Sequence, residues 1–491
     1  MAKRTAIVDL GSNSVRLVIF EKTSRFAFHI FAEYKRKVRL GENAYNNGKV
    51  LQEEAMQRTE NTLAYFKEMA FKHKCKKIII IGTSALRDAP NSKDFIKRIK
   101  DKLNLNIKCI DGKTESYLGG LAALNLISNV KDAVTLDIGG GSSELCLIKN
   151  GEINDCISLD IGTVRLKELF YDSNKLKELD EFLEKSLKSI PQHFKNENLI
   201  AIGGSLRAIS SSIMQKNSYP IKTLHEFKYK LDDEKKHIQK IIDTEFENLS
   251  NYGIKKERFD TIKEGALIFL KIAQKIGIKE VITSGVGVRE GAFLNDILPA
   301  NKKFPSNFNP SVRSLQDRFL NKDDRNLMHI YCIKLFDKLQ LSHKLDKKYK
   351  IILINAAKLC NIGSYLNFYF ANEHSTYFIL NALNYNFSHE DKTLIAMLIK
   401  FSGKKINPFF LENYKELLPD IQTITWLNFM LAVARLLSQH YSNKQRLDFE
   451  YKNNTLYIYS KANIDVAKDE FRKLALPNTN IVLALNQKPN Y

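Results

Sequence analysis

Several features that would assign this chain to a functional class are missing from it. Its six cysteines (Cys75, Cys109, Cys146, Cys156, Cys332 and Cys360) include no C-x-x-C pair. Neither structural zinc nor a disulfide framework is expected; the thiols read as small core residues in a reducing, cytoplasmic setting. No apolar run approaches the roughly 18 residues that a bilayer-crossing helix needs. The opening "MAKRTAIVDLGS" runs straight into a structured motif instead of a leader, so no membrane partner is expected. No G-x-x-x-x-G-K-[ST] occurs, which removes a Walker-type phosphate loop. Acid is also scarce: 55 Asp+Glu face 76 Lys+Arg, a net charge of +21. The excess is denser toward the C-terminus, where residues 301–491 hold 27 basic and 16 acidic side chains. Two readings stay open for it: Lys-rich solvated helix faces, or attraction for a polyanion such as polyphosphate, nucleotide or nucleic acid.

What is present describes a globular protein. The 491 residues are 44% hydrophobic and 27% charged, too long for one core, so two to four domains are expected. Two stretches share one internal spacing. "AIVDLGSNSVRLVIF" begins at Ala6 and "VTLDIGGGSSELCLI" at Val134; each is an apolar strand, an aspartate, a small-residue turn and a second strand. Aligning Asp9 with Asp137 places Arg16 opposite Glu144. Such runs joined by Gly, Ser and Asn read as hairpins, and their duplication predicts two similar lobes facing each other.

Around the hairpins, strands feed helices through short turns in "KKIIIIGTSALRDA", "NLIAIGGSLRAISSSI" and "KEVITSGVGVREGAF". Five Gly-rich turns, near residues 11, 82, 139, 203 and 285, fall at strand ends. This predicts α/β layers with ligands at the carboxyl ends of the strands. Asn301–Pro310 reads as a linker, and residues 311–445 read as helices. From Leu447 alternation returns in "LDFEYKNNTLYIYS", a hairpin turning at Asn453-Asn454, followed by a helix and the run "NIVLAL".

Backbone N–H groups converge on an anion only where side chains do not crowd it, which is why glycine recurs in such loops. Gly139, Gly140, Gly141 and Ser142 form one candidate phosphate cradle, Ser12, Asn13 and Ser14 a second, and Gly204 with Ser205 adds to them. Carboxylates beside phosphate need a cation between. Mg²⁺ takes one or two carboxylates plus water and phosphate, so Asp137 and Glu144, with Asp9, are its candidate ligands. The competing reading is that Asp9 and Asp137 cap turns. Glu115, near the start of the helix in "IDGKTESYLGGLAALNLI", is the candidate base for a water, although an acid there also suits the helix dipole. Arg87 is the candidate counter-charge for phosphate, with Arg289 second to it.

In this order and spacing, "DLGSNSVRL", "GTSALRDAPN", "DGKTES", "DIGGGSSEL" and "SGVGVREG" resemble the exopolyphosphatase/guanosine pentaphosphate phosphatase (Ppx/GppA) family, within the actin–Hsp70–sugar kinase superfamily. The resemblance implies an α/β fold of two ribonuclease-H-like (actin-like ATPase) lobes, at residues 1–122 and 123–304. An all-helical HD-like domain at 305–445 and a small α+β C-terminal appendage at 446–491 would follow. It implies Mg²⁺ and release of a terminal phosphate from inorganic polyphosphate, guanosine pentaphosphate or both by base-activated water. In the family the base is the second acid of a Glu-Glu-Ala segment. Here that segment is Thr114-Glu115-Ser116, so the base falls on Glu115 and the first acid is absent; the second catalytic acid falls on Glu144. In the HD-like region Cys360-Asn361 stands where a metal-binding His-Asp pair belongs, although His374 remains. That domain is expected to bind no metal and to shape a polyanion channel or a homodimer interface. Nucleic acid is not the expected partner. An ATP-dependent kinase of the same superfamily and a non-catalytic polyphosphate or alarmone sensor remain alternatives.

Overall fold

The computed structural model describes residues 3–44, 48–320, 327–439, 447–460, 469–474, 477 and 480–485. The chain divides into two compact units, Met1–Phe308 and Asn309–Tyr491.

The first unit is built on two sheets of one plan. β1 (Lys3–Leu10), β2 (Ser14–Lys22) and β3 (Phe28–Lys37) form an antiparallel meander, and β4 (Lys77–Gly82) and β5 (Ile107–Cys109) extend it in parallel, in the order β3-β2-β1-β4-β5. The second sheet repeats this with β6 (Ala133–Ile138), β7 (Ser143–Lys149), β8 (Glu152–Leu159), β9 (Asn198–Ile202), β10 (Lys228–Lys230) and β11 (Glu280–Thr283). Its order is β10-β11-β9-β6-β7-β8. β1 and β6 hold the same place in each sheet, between an antiparallel and a parallel neighbour. Their central residues Ala6, Ile7 and Val8, and Val134, Thr135 and Leu136, are accordingly buried.

Helices α1 (Glu53–Lys72), α2 (Ser84–Asp88) and α3 (Ser92–Leu103) serve the first lobe, and α4 (Gly112–Leu126) leads into the second. α4 starts where the Asp111 carboxylate accepts the Thr114 N–H at 2.7 Å, an N-cap worth about 1 kcal/mol. It is buried nearly all round, with Leu118, Gly119, Gly120, Leu121, Ala122 and Ala123 enclosed. A Cβ on Gly291 of the neighbouring helix Val288–Ile297 would overlap the Leu118 carbonyl, so glycine permits that crossing. Each lobe has its own core, around Val8, Leu17, Leu63 and Phe66 in one and Leu136, Leu145, Leu199 and Phe269 in the other.

The second unit packs the helices Pro310–Phe319, Met328–Lys338, Lys348–Leu359, Ala371–Ala382, His389–Lys400 and Ile421–Gln439 around Leu335, Leu353, Met397 and Met430. β12 (Asp448–Lys452) and β13 (Thr455–Ser460) meet in a two-residue turn in which Asn453 and Asn454 both have positive φ (49° and 58°). Asparagine tolerates that region better than most residues, and the turn matches strand twist. β14 (Asn480–Leu485), the "NIVLAL" run, pairs in parallel with β13. Phe449, Leu456 and Ile458 join the same core as the helices, so the sheet is continuous with the helical part. The helix expected after the hairpin falls largely on 461–468, outside the described residues. The expectation about apolar runs needs correction. Ile421–Gln439 is long and apolar enough to cross a membrane by length and composition, because its few polar residues interrupt the run without breaking the helix. Here 67% of its apolar window is buried inside the protein. Cys360 is buried, its sulfur 3.5 Å from Met328 Sδ and 3.3 Å from Asn361 Oδ1.

Candidate functional site

The two duplicated turns face one cavity of about 340 Å³. Each turn is closed by the same bond: Gly11 N–H donates to Ser14 O at 3.2 Å, and Gly139 N–H to Ser142 O at 2.9 Å. Each is also held from behind. Ser12 O accepts from Gly41 N–H (2.9 Å), and Asn13 O from the N–H groups of Val38 (3.2 Å) and Arg39 (2.9 Å). In the second lobe Gly139 O accepts from Thr163 N–H (3.0 Å), and Gly140 O from Val164 (2.8 Å) and Arg165 (3.0 Å). C=O and N–H point opposite ways across a trans peptide. Carbonyls tied on the outer side therefore turn the following N–H groups toward the cavity. The turns meet closely: a Cβ on Gly140 would lie 3.0 Å from Ser12 Cβ.

A third turn follows β9. Gly203 has φ 90°, and a Cβ on it would overlap Asp137 Oδ1, so both conformation and space require glycine. A Cβ on Gly204 would overlap the Arg258 guanidinium, which lies against bare backbone there.

The acids sit at the strand ends. Asp9 pairs in register with Arg16 across β1–β2, whereas Asp137 pairs with Glu144 across β6–β7. Burial raises Asp9, against the pull of Arg289 and Arg16. Burial pushes Asp137 up to about 6, opposed by Arg207. Glu144 is pushed up to about 7, mainly by burial, although Ser142 Oγ (2.5 Å) and Ser158 Oγ (3.0 Å) donate to it. Glu115 is held well above the usual carboxylate range by burial and then by Glu144, while Arg87 Nη1 donates to it at 2.9 Å.

The same cavity is lined by a wall of cations: Arg16, Lys35, Lys37, Arg207, Arg258 and Arg289. Glu33 accepts from both Arg16 (3.2 Å) and Arg289 (3.1 Å). Arg207 donates to the carbonyls of Ser284 (3.2 Å) and Gly285 (3.3 Å). Burial and then the neighbouring Arg289 and Arg16 lower it to about 10. Crowded cations that depress one another are relieved by an anion. A side cavity of about 300 Å³ shares this wall and adds Val18, Ile30, Ala208, Leu224 and Ser211. On the rim, Lys37 pairs with Asp260 at 2.6 Å and Asn43 N–H donates to Glu168 at 2.8 Å, both from one lobe to the other.

Of the residues expected from sequence, Asp9, Ser12, Asn13, Ser14, Glu115, Asp137, Gly139, Gly140, Ser142, Glu144, Gly204 and Ser205 line the main cavity. Gly141 and Arg87 are not in its wall. Arg87 is drawn behind the surface by Glu115, by Ser142 Oγ (3.2 Å) and by the Ile110 carbonyl (3.3 Å), so it serves the acids more directly than a ligand. Arg289, ranked second in the sequence, is in the wall. Lys35, Lys37, Arg207 and Arg258 were missed; the alternation Glu33, Lys35, Lys37 on one face of β3 was the available signal. Among the described residues no three His, Cys, Asp or Glu side chains are gathered closely enough to hold a metal alone. The buried oxygens of Asp9 and Asp137 still suit a hard cation that completes its shell with water and phosphate.

Residues 18–300 match the model of the Ppx/GppA phosphatase family, and residues 309–476 that of Ppx/GppA phosphatase, domain III. A bifunctional 3-dehydroquinate synthase/phosphatase of Fusobacterium nucleatum is 30% identical over 321 residues, 60% of this chain but only 46% of that protein. A guanosine-5'-triphosphate,3'-diphosphate pyrophosphatase of Photobacterium profundum is 25% identical over 80% of this chain and 79% of its own. The crystal structure of the Aquifex aeolicus family member superposes with a TM-score of 0.52 at 27% identity, covering 61% of this chain and 98% of that one. A Cytophaga hutchinsonii exopolyphosphatase (TM-score 0.54, 24% identity, 60% and 98% covered) shares the fold. The family model covers more than half of the 491 residues, and the chain belongs to the Ppx/GppA phosphatase family.

Proposed function

We propose that this protein is a phosphohydrolase that removes the terminal phosphate of guanosine pentaphosphate or inorganic polyphosphate by attack of water. One observation carries the reading: two amide-lined turns and a wall of arginines share a cavity with Glu115, a buried carboxylate. Phosphoryl transfer needs positioning and charge neutralisation more than covalent help. The turns orient the terminal phosphate, and Arg16, Arg207, Arg258 and Arg289 take up the charge of the groups behind it. Glu115, held above the usual carboxylate range by burial, is a stronger base for water than an ordinary carboxylate. Arg87 fixes its direction through the 2.9 Å bond. Glu144, steadied by two serine hydroxyls, neighbours Glu115 and raises its basicity. Asp9 and Asp137 would hold Mg²⁺, which would neutralise phosphate oxygens when bound.

The side cavity favours a nucleoside substrate. An inorganic chain has no use for Val18, Ile30 and Leu224, whereas a base and sugar would cover them.

The test is phosphate release from both substrates, with Mg²⁺ and with a chelator. Glu115→Gln is expected to lower turnover by roughly 10²-fold or more while binding persists. Full turnover in that variant, or no release from either substrate by the parent, defeats the proposal.

A further inference from the structure

We propose that Cys146 and Cys156 are a redox-active dithiol, a modification site that closes to a disulfide and thereby alters the second lobe's side of the cleft. The two residues face each other directly across β7 and β8. In-register antiparallel partners place their Cα atoms about 4.5–5.5 Å apart, inside the roughly 4.4–6.8 Å span of disulfides. Both side chains belong to one packed cluster beneath α4. Cys156 is half-buried and Cys146 is buried, so one thiol is reachable and the other waits beneath it.

The surroundings tie the pair to the site. The next rung of the same face is Glu144 opposite Ser158, joined by the 3.0 Å hydrogen bond. α4 lies across both rungs with small residues at four-residue spacing. A Cβ on Gly112 would overlap Ser158, and one on Gly120 would overlap Cys146 Sγ. Between them Ser116 Oγ donates to Leu145 O at 2.6 Å and neighbours Cys156. Ser116 directly follows Glu115. Any shift of Cys156 therefore reaches the helix turn that carries the proposed base.

Peroxide is the oxidant class that fits a half-buried thiol. The neighbouring Cys146 thiol favours the Cys156 thiolate. It attacks one peroxide oxygen, the O–O bond breaks, and the departing hydroxide leaves as water after taking a proton. The Cys146 sulfur then displaces the hydroxyl of the resulting sulfenic acid; the S–S bond forms, and the Cys146 proton departs with that hydroxyl as a second water. Two thiols and one peroxide give one disulfide and two waters. Closing the sulfurs to about 2.05 Å withdraws Cys156 from Ser116 and draws β8 toward β7.

The experiment treats the reduced full-length protein with hydrogen peroxide, alkylates the remaining thiols and maps peptides without reduction. The expected result is a linked Cys146–Cys156 peptide pair and a several-fold fall in phosphate release, both reversed by dithiothreitol. Cys156→Ser should show neither change, whereas Cys109→Ser, which lacks the other most reachable thiol, should show both. Free, alkylated Cys146 and Cys156 after oxidation would overturn the inference. So would a linked pair with unchanged turnover, or an equal loss of activity in Cys156→Ser. The peptide map does not depend on the proposed reaction: a parent protein that releases no phosphate defeats that reading, while the linkage is still decided.

Discussion

The two lobes use one backbone solution and opposite charge. β1–β2 and β6–β7 share the aspartate, the turn, the closing glycine bond and the trapped carbonyls. They differ at the residue facing the aspartate: Arg16 opposite Asp9, and Glu144 opposite Asp137. In the first lobe an acid and a base offset each other and the turn is left to grip. In the second, burial raises both acids and Asp137 raises Glu144 further, which suits them to the proposed chemistry. A duplicated scaffold can thus split binding from catalysis by changing one residue of a strand pair.

Substitutions on the two sides should break that parallel unequally. Glu144→Gln removes the second carboxylate, and turnover is expected to fall by roughly 10²-fold or more with the KM little changed; a change in KM alone would show that Glu144 only binds. Arg16→Ala removes a binding charge, and KM should rise about tenfold, ~1.4 kcal/mol, with kcat within a few-fold. A larger loss in kcat than in KM would erase the distinction between the lobes. The smallest effects concern the glycines behind the turns. A Cβ on Gly162 would lie 2.5 Å from the Gly140 carbonyl oxygen and from the Gly141 carbonyl carbon, both backbone, whereas one on Gly41 would lie 3.2 Å from the Ser12 side chain. Gly162→Ala should therefore lower the Tm by several degrees, an overpacking cost of about 1–3 kcal/mol. Gly41→Ala should shift it by less, and equal melting shifts would contradict the asymmetry.

The duplicated hairpins were legible because an aspartate, small residues and β-rich flanks recur at one spacing, and that local chemistry dictates the turn. Glu115 was legible from its place in the first turn of a helix between the motifs. The cation wall was not. Arg207 and Arg258 come from a helix and a short 3-10 turn far apart in sequence, and only tertiary packing sets the Arg258 guanidinium against Gly204 and that of Arg207 against the Ser284 and Gly285 carbonyls. The bonds of Arg87 were hidden for a related reason: Glu115 and Ser142, which hold it, lie 28 and 55 residues away along the chain. The helix Ile421–Gln439 was legible in "TITWLNFMLAVARLLS", but its scattered Thr, Asn and Arg residues hid how apolar the whole span is.

The bridges on the rim bear on the rate of the proposed reaction. Lys37–Asp260 joins two side chains that are about one-third exposed, at 36% and 30%. Such a pair is worth less than about 1 kcal/mol and weakens as salt screens it. Moderate salt should then hasten product escape by loosening this clasp, even as it slows the approach of a highly charged substrate. The two tendencies oppose each other, so the throughput of the enzyme should pass through a maximum at an intermediate ionic strength.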